Sequence, residues 1–286
     1  MFDDFTSSYE TLEKSGIENP LFETLRYFDL LSGGAIRNAG RGDRARPHIE
    51  MTALIQQRKE GVPWEYILGE AHFMGKLFVC TKDTLIPTDE TWVLVKAALN
   101  WIHEQEARGE GPLVIELGTG CGNIACSLAM NTQSARILAS DVSADAVNVA
   151  KLNVSRYSLA NRVSLFCGDL FAPFHELGYD GSVDCVVCNP PYIPTGSLEK
   201  LDREIVENEP RVALDGGPYG IDIFRRLIAD SLTMLKPEGK LFFEIGERQD
   251  KLATRLLEKN AGYKEIEYFT YEGNIRALRA VKKSTE

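Results

Sequence analysis

Apolar side chains recur at helical spacing from the start of the chain to about residue 70, and no strand-like alternation interrupts them. The stretch ENPLFETLRYFDLLSGG, at 18–34, places its apolar positions on one helical face and ends at a glycine pair, which often terminates a helix. HIEMTALIQQRKEG, at 48–61, shows the same pattern and is soon followed by a proline. The pattern predicts a helical-bundle domain over residues 1–71.

From His72 the pattern changes to short apolar runs that are broken by turn residues. HFMGKLFVCTKDTLIP, at 72–87, is rich in large apolar side chains and is interrupted at Gly75 and Asp83, as a β-hairpin would be. We therefore predict that residues 72–90 form a β-hairpin connector between two domains.

From Gly111 onward, apolar runs alternate with helical patterns. Such alternation is typical of βαβ units, which build a mostly parallel sheet with helices on both faces. The segment KEIEYFTYEGNIRALRAV, at 264–281, instead predicts two strands without a helix between them, as in a terminal hairpin. We predict an α/β fold for residues 91–286. The strand-like runs are PLVIEL, ARILASD, RVSLFC, VDCVVC and KLFFEI, and the helical ones are GNIACSLAM, SADAVNVAKLNVSRY and GIDIFRRLIADSLTMLK.

A glycine-rich turn, residues 118–122, joins the strand PLVIEL to the helical pattern NIACSLAM. Glycine lets a backbone approach a ligand closely, and amide N–H groups at a helix N-terminus point toward that ligand. The turn contains no Gly-Lys-Ser/Thr, which excludes a P-loop, and Asn123 stands where a dinucleotide-binding turn needs its third glycine. In an open α/β sheet, ligands bind at this position beyond the carboxyl end of a central strand.

Acidic residues end the next strands at the places where a cofactor would be held. Asp141 ends ILASD about 20 residues after the turn, as expected for an acid that binds ribose hydroxyls, and Asp169 follows the next strand in CGDLF. A GxGxG turn after Glu116 resembles the first motif of methyltransferases that use S-adenosyl-L-methionine (SAM), and this resemblance implies a Rossmann-like sheet. The predicted cofactor-binding residues are Thr91, Glu116, Gly118, Thr119, Gly120, Cys121, Gly122, Asp141, Val142, Asp169, Leu170 and Asn189.

The tetrapeptide Asn189-Pro190-Pro191-Tyr192 directly follows the strand VDCVVC. An amide or exocyclic amino nitrogen is a poor nucleophile because its lone pair is delocalised. The Asn189 side-chain oxygen and the Pro190 carbonyl can accept both of its hydrogens, which positions the nitrogen and stabilises the positive charge that develops on it. Tyr192 can stack on a planar acceptor. We predict that Asn189, Pro190 and Tyr192 are catalytic and that Asn189, Pro190, Pro191 and Tyr192 bind the substrate.

Longer motifs resemble one family. The tetrapeptide is similar to the signature of enzymes that methylate adenine N6, cytosine N4 or glutamine amides. The more specific ENEPRVALDGGPYGIDIFRRLI, at 207–228, follows RKEGVPWEYILGEAHFMGKLFV, LIPTDETWVLV, IELGTGCGNIA and CNPPYIP in the order seen in the HemK/PrmC family. The resemblance covers nearly the whole chain. It implies methylation of the glutamine in the Gly-Gly-Gln motif of peptide-chain release factors, with the helical domain and hairpin recognising that protein substrate.

The chain departs from the family pattern at two places. The family's Ile-Pro-Arg-Pro-Glu-Thr becomes IPTDET, so Thr88 replaces an arginine near the cofactor, and threonine cannot make bidentate contacts. The C-terminal Asp-x-x-Gly-x-x-Arg survives loosely around Gly273 and Arg276. An alternative function is therefore a paralogue that methylates a small-molecule amide, amine or amino acid.

Charge and composition restrict the partners. The net charge of −10 argues against a broad nucleic-acid surface. An adenine-N6 methyltransferase of nucleic acids, which would have to flip its base, is an alternative that the acidic charge and the absence of a target-recognition domain disfavour. We therefore expect no direct nucleic-acid binding, and the arginine cluster at 37–46 is interpreted as a solvated loop. A SAM-binding protein without catalysis is a further alternative, which the intact tetrapeptide disfavours.

The six cysteines include Cys185 and Cys188, which form a CxxC. This pair lies inside a strand-like run without a second CxxC or a histidine cluster, so we expect buried free thiols and no metal. The acidic start lacks the apolar region of a signal peptide, and no apolar stretch approaches the roughly 20 residues that span a bilayer. These features predict a cytoplasmic protein without a membrane partner.

Overall fold

The computed structural model describes residues 2–31 and 51–284, and the N-terminal part of this range is helical. The glycine pair that was expected to end the first helical pattern lies outside the described residues, as does the arginine cluster at 37–46. Trp64 is fully buried at the centre of the helices, together with Leu12, Leu54 and Ile55. The helices are α1 (Phe2–Lys14), α2 (Pro20–Leu31), α3 (Met51–Lys59) and α4 (Trp64–Leu68).

A β-hairpin follows these helices. Strand β1 (Glu70–Phe73) pairs antiparallel with β2 (Lys76–Val79), so the hairpin begins ahead of the predicted start at His72. Met74 and Gly75 both have positive φ, as a tight hairpin turn requires. The division into a domain over 1–71, a connector over 72–90 and a domain over 91–286 stays a prediction.

The rest of the described chain forms a seven-stranded sheet with the order β5-β4-β3-β6-β7-β9-β8. Strands β3 to β7 are parallel, whereas β9 is antiparallel to both β7 and β8. The predicted α/β fold, with a mostly parallel sheet and a terminal hairpin, is confirmed. The strands are β3 (Leu113–Leu117), β4 (Arg136–Asp141), β5 (Val163–Cys167), β6 (Val183–Cys188), β7 (Leu235–Glu244), β8 (Tyr263–Tyr271) and β9 (Asn274–Lys282).

Helices cover both faces of the sheet, and each layer buries an apolar core. On one face pack α5 (Thr91–Ala107), α6 (Asn123–Met130) and α7 (Ala144–Arg156). On the other pack α8 (Ala172–Glu176), α11 (Asp222–Met234) and α12 (Asp250–Lys259). The segment between β6 and α11 contains a short 3₁₀ helix (Thr195–Lys200), α9 (Arg203–Asn208) and α10 (Arg211–Leu214).

The strand order reverses at β3, and this reversal positions the functional loops. β3 pairs with β4 on one side and with β6 on the other, so the loops that follow β3 and β6 open a crevice at their carboxyl ends. Leu117 and Cys188, the last residues of β3 and β6, are paired with each other. Gly118 and Asn189 therefore begin adjacent loops.

Across the residues that the structure describes, every helix is too short or too polar to cross a membrane. Cys185 and Cys188 are buried free thiols inside β6, as the sequence pattern indicates.

Candidate active site

A cavity of about 330 Å³ lies beyond the carboxyl ends of β3, β4 and β6, within the size range of small-molecule sites. Of the predicted site residues, it is lined by Thr91, Gly118, Thr119, Gly120, Cys121, Asp141, Val142, Asp169, Leu170, Asn189 and Pro191. Glu116, Gly122, Pro190 and Tyr192 do not line it. The lining also includes residues without a recognisable sequence signal, among them Leu85, Pro210, Val212, Ala213, Ile223 and Arg226.

A larger cavity, of about 420 Å³, opens at the opposite end of the strands. Charged side chains such as Asp184, Lys236 and Arg279 form its walls, and no predicted site residue lies there.

The glycine turn after β3 uses backbone conformations that side chains disfavour. Gly118, Gly120 and Gly122 have φ of 68°, 53° and 81°, in the left-handed region. A Cβ at Gly122 would lie 3.2 Å from that of Ala150, whereas a Cβ at Gly120 would meet no protein atom within 4 Å. Gly120 thus leaves room that a ligand can fill against the backbone of the turn.

Asp141 is held at the end of β4 by backbone amides. Its carboxylate accepts hydrogen bonds from the N–H groups of Gly120 at 2.8 Å and Ser143 at 2.9 Å. Burial raises the pKa of Asp141, and these backbone donors oppose that shift. A carboxylate offers about four lone-pair sites, so the oxygens can still accept from a pair of hydroxyls.

Glu116 lies behind the turn and is fully buried. The Thr119 hydroxyl donates to Glu116 Oε2 at 2.7 Å, and Oε1 has no hydrogen-bond partner among the described residues. Burial raises the pKa of this carboxyl to about 8. Glu116 therefore supports the turn from within the protein, and direct contact with a cofactor stays a prediction.

Apolar groups and one ion pair form the outer wall. Val142 and Val212 are exposed by 54% and 55%, which is unusual for valine, and both line the cavity. Leu170 has a positive φ of 48°, and its carbonyl accepts from the Ser140 hydroxyl at 3.0 Å. Strained backbone of this kind is often found at ligand sites.

Asp169 forms an ion pair with Arg226 at 2.6 Å at the rim of the cavity. Thr88, which stands where the resemblance implies an arginine, lies outside the lining, with its hydroxyl 3.4 Å from that of Thr91. Arg226, on α11, is therefore the one cationic side chain among the described residues that line the cavity.

Asn189 lies at the end of β6, and its Nδ2 donates a hydrogen bond to Thr91 Oγ1 at 3.0 Å. Tyr192 points its hydroxyl away from the cavity. That hydroxyl donates to Glu244 Oε1 at 3.2 Å and accepts from Arg276 at 3.1 Å. The tetrapeptide is thus anchored from behind by β7 and β9.

Glu244 and Arg276 form a buried polar layer beneath the tetrapeptide. Burial raises the pKa of Glu244 to about 7, while Thr91, Arg276 and Tyr192 favour its charged form. Arg276 also forms an ion pair with Glu90. The role of Glu244 was not predicted, although a single acid within the apolar run KLFFEI was an available signal. Arg276 is the last residue of the loosely preserved C-terminal pattern, and these contacts hold it beneath the tetrapeptide.

The glycines of ALDGGPYG are required by close packing on the tetrapeptide. A Cβ at Gly216 would lie 2.8 Å from the Pro191 carbonyl oxygen, and one at Gly220 would lie 2.2 Å from that of Tyr192. Asp215 closes the loop by accepting from the Thr195 hydroxyl at 2.6 Å. This loop therefore fixes the tetrapeptide from outside.

The segment after the tetrapeptide is also tied to the N-terminal helices. Asn208 donates from Nδ2 to the Gly61 carbonyl at 2.9 Å, and the half-buried Glu209 accepts from the Ile86 amide at 3.4 Å. Burial raises the pKa of Glu209 to about 7. Pro210 continues from this contact into the wall of the cavity.

Asn153, fully buried on α7, connects the hairpin to the glycine turn. Its Oδ1 accepts a hydrogen bond from the N–H of Val79 at 2.7 Å. Its Nδ2 donates to the carbonyl of Val79 at 2.9 Å and to the carbonyl of Cys121 at 2.8 Å. One side chain therefore sets the distance between the two elements.

Known proteins similar to this chain are methyltransferases. The model of the methyltransferase small domain matches residues 99–221. A release factor glutamine methyltransferase of Moorella thermoacetica is 37% identical over 230 residues, covering 80% of this chain and 78% of the relative. One from Geobacter sulfurreducens is 36% identical over 247 residues, covering 85% of this chain and 82% of the relative.

Solved structures agree on the fold. The hMettl16 catalytic domain, in complex with a 3′UTR hairpin, superposes with a TM-score of 0.57 at 15% identity, over 86% of this chain and 97% of that one. Human methyltransferase 10 domain containing protein gives a TM-score of 0.52 at 20% identity, over 71% of this chain and 86% of that one.

Sheet order, crevice and relatives together define an enzyme of the Rossmann-like, SAM-dependent methyltransferase class. Within that class, the chain belongs to the release factor glutamine methyltransferase family.

Proposed function

We propose that this enzyme methylates the side-chain amide nitrogen of the glutamine in the Gly-Gly-Gln motif of a peptide-chain release factor. The observation that carries the proposal is the Asn189 carboxamide at the crevice. Its nitrogen is bound to Thr91, whereas no described residue donates a hydrogen bond to Oδ1. A positioned acceptor is what a primary amide requires.

The residues of the cavity fit SAM. Asp141 at the end of β4 would hold the ribose hydroxyls, and the exposed Val142 beside Leu170 offers an apolar slot for the adenine ring. Gly118 and Gly120 leave the backbone accessible for the amino-acid portion. When bound there, SAM supplies a methyl group activated by its sulfonium sulfur.

The chain's own groups would orient the acceptor. Asn189 Oδ1 accepts one amide hydrogen, and the Pro190 carbonyl, which receives no hydrogen bond from the described residues, accepts the other. Both oxygens stabilise positive charge on the nitrogen as it becomes tetrahedral. The proton then leaves a strongly acidic nitrogen, so no strong base is needed.

A protein acceptor is supported by exposed apolar side chains on the segment after the tetrapeptide. Val206 and Tyr219 are exposed, and so is Val212 at the cavity wall. Exposed apolar side chains of this kind are available to bind a segment of a protein substrate. We expect this reaction in the cytoplasm, without direct contact to nucleic acid or membrane.

The test is methyl transfer from labelled SAM to an unmethylated release factor, with a variant factor that carries alanine in place of the motif's glutamine as control. We expect label on the glutamine amide of the first protein and none on the control. Label that instead appears in a small-molecule fraction of a cell extract would contradict the proposal and support a metabolite methyltransferase.

A further inference from the structure

Helix α7 contacts the cofactor cavity, the glycine turn and the hairpin in succession along its length. Its N-cap residue Ser143 and the nearby Ala146 line the cavity. One helical turn later, Ala150 packs against the glycine turn, where a Cβ at Gly122 would lie 3.2 Å from its own Cβ. The last turn of α7 reaches the hairpin. A single helix therefore joins the hairpin to the place where the cofactor would bind.

Asn153 is the residue of α7 that bonds the hairpin and the glycine turn at once. It is fully buried and lies outside the lining of the cavity. Its Oδ1 accepts from the N–H of Val79, the last residue of β2, and its Nδ2 donates to the carbonyls of Val79 and Cys121. Both Nδ2 hydrogens are thus used, and rotating the amide by half a turn would place a donor against the Val79 N–H. The carboxamide therefore has one satisfactory orientation.

The Cys121 carbonyl influences how the glycine turn presents its backbone to the cavity. A peptide unit is planar, so a bond that holds this carbonyl also orients the plane that joins Cys121 to Gly122. Gly118 and Gly120, earlier in the same turn, line the cavity. A displaced Cys121 carbonyl would therefore move the backbone that faces the amino-acid portion of SAM.

Two neighbouring side chains of α7 also bond the hairpin. Arg156 donates to the Leu77 carbonyl at 3.2 Å and forms an ion pair with Glu70 at 2.7 Å. The Tyr157 hydroxyl donates to the same Leu77 carbonyl. A substitution of Arg156 therefore loosens the hairpin while it leaves the bond between Asn153 and the glycine turn in place.

We propose that Asn153 is a positioning residue through which the hairpin holds the glycine turn in the conformation that binds the amino-acid portion of SAM. This inference rests on the placement of SAM in the cavity under the proposed function. The adenosine portion would be held by Asp141 at the end of β4 and depends less on the Cys121 carbonyl. Loss of Asn153 therefore affects the two portions of the cofactor unequally.

The affinity test compares Asn153→Ala with the wild type, using SAM and adenosine as separate ligands in calorimetry well below the melting temperature. Asn153→Ala is expected to bind SAM about tenfold more weakly, the scale of one lost hydrogen bond, while its adenosine affinity stays within about twofold. Arg156→Ala, the matched control, is expected to keep both affinities. A role confined to stability would lower the melting temperature without changing the ratio of the two affinities.

Two results of this test would overturn the proposal. One is a SAM affinity of Asn153→Ala equal to that of the wild type. The other is an equal weakening of SAM and adenosine binding. Neither ligand is a methyl acceptor, so the test decides on Asn153 even if a release factor proves not to be the substrate.

A second measurement uses only the wild-type protein, so it does not depend on the folding of Asn153→Ala. Hydrogen exchange of the Val79 amide is followed by NMR with and without SAM, and the Cys80 amide, bonded to the Gly69 carbonyl at 3.0 Å, is the control. SAM is expected to slow exchange at Val79 by the larger factor, because an ordered turn also fixes the carboxamide that accepts from Val79. Equal factors at the two amides would refute the role of Asn153, and a wild-type protein that does not bind SAM would overturn this inference together with the proposed function.

Discussion

Arg58 of α3 lies 2.8 Å from Glu204 of α9, and this ion pair joins the N-terminal helices to the segment that follows the tetrapeptide. The same guanidinium pairs with Glu23 of α2 at 2.8 Å. The side chains of Arg58 and Glu23 are only 11% and 8% exposed. Arg58 therefore holds two separate parts of the chain together from a nearly buried position.

Arg58→Ala is expected to lower the free energy of unfolding by about 3–5 kcal/mol, because it leaves the Glu23 carboxylate buried without its cation. Chemical denaturation measures the change. Arg203→Ala is the matched control: its ion pair with Glu207 is exposed, so an effect below about 1 kcal/mol is expected. Similar losses of unfolding free energy in both variants would show that burial of the Arg58 ion pair adds nothing to its contribution to stability.

Asp141→Ala is expected to weaken SAM binding by about 1.5–3 kcal/mol, the scale for losing hydrogen bonds to a charged acceptor. Isothermal calorimetry gives the affinity, and the melting temperature shows whether loss of the contacts to Gly120 and Ser143 also loosens the turn. Affinity that stays at the wild-type value would refute the assignment of Asp141 to the cofactor.

Asn189→Ala is expected to cut single-turnover rates about 100-fold or more while leaving SAM affinity nearly intact, since a positioned acceptor is lost. Asn189→Asp is expected to be milder because a carboxylate still accepts from the target NH₂. Tyr192→Phe is expected to be milder still in rate, because stacking needs only the ring. A wild-type rate in Asn189→Ala, or its unfolding, would contradict a catalytic role.

Tyr192→Phe is also expected to lower the stability of the folded protein, an effect that is separate from stacking on the acceptor. The hydroxyl bonds Glu244 and Arg276, and its loss leaves buried polar groups with fewer partners. We therefore expect the melting temperature to fall in this variant more than in Asn189→Asp.

Glu116 is expected to make stability fall as the pH rises. Its pKa of about 8 in the folded protein lies above the ordinary glutamate value of 4.5, so the folded state holds more protons between these two values. The contribution of Glu116 is complete below pH 4.5 and declines by about 1.4 kcal/mol per pH unit until about pH 8. Denaturation midpoints of Glu116→Gln, measured from pH 5 to 8, should decline less than those of the wild type. Parallel curves would place the titration elsewhere.

Local patterns were sufficient to predict most of the sheet and several residues that line the cavity at its edge. PLVIEL, ARILASD and VDCVVC match β3, β4 and β6, because a strand buried on both faces is a continuous apolar run. Asp141 and Asn189 could be placed in the crevice because Asp141 ends such a strand and Asn189 directly follows one. The long helix α5 was not singled out, although Leu94, Ala98 and Ile102 repeat at helical spacing.

The contacts that hold the site could not be predicted in the same way. Thr91 and Asn189 are 98 positions apart, and Arg58 and Glu204 are 146 apart. Neither pair shares a periodic pattern, so only the folded chain brings them together. The support of Tyr192 by Glu244 likewise depends on the pairing of β6 with β7, a register that single-strand patterns do not specify.

The carboxamide of Asn153 limits how this enzyme can be recombined with its relatives. A hairpin grafted from another protein would have to offer Asn153 the backbone N–H and carbonyl that Val79 offers now. A graft that misses this register leaves a buried amide unsatisfied and pulls on the Cys121 carbonyl in the glycine turn. The hairpin therefore cannot be exchanged by itself, because its replacement also perturbs the glycine turn. A chimera should take the hairpin, α7 and the glycine turn from the same parent protein.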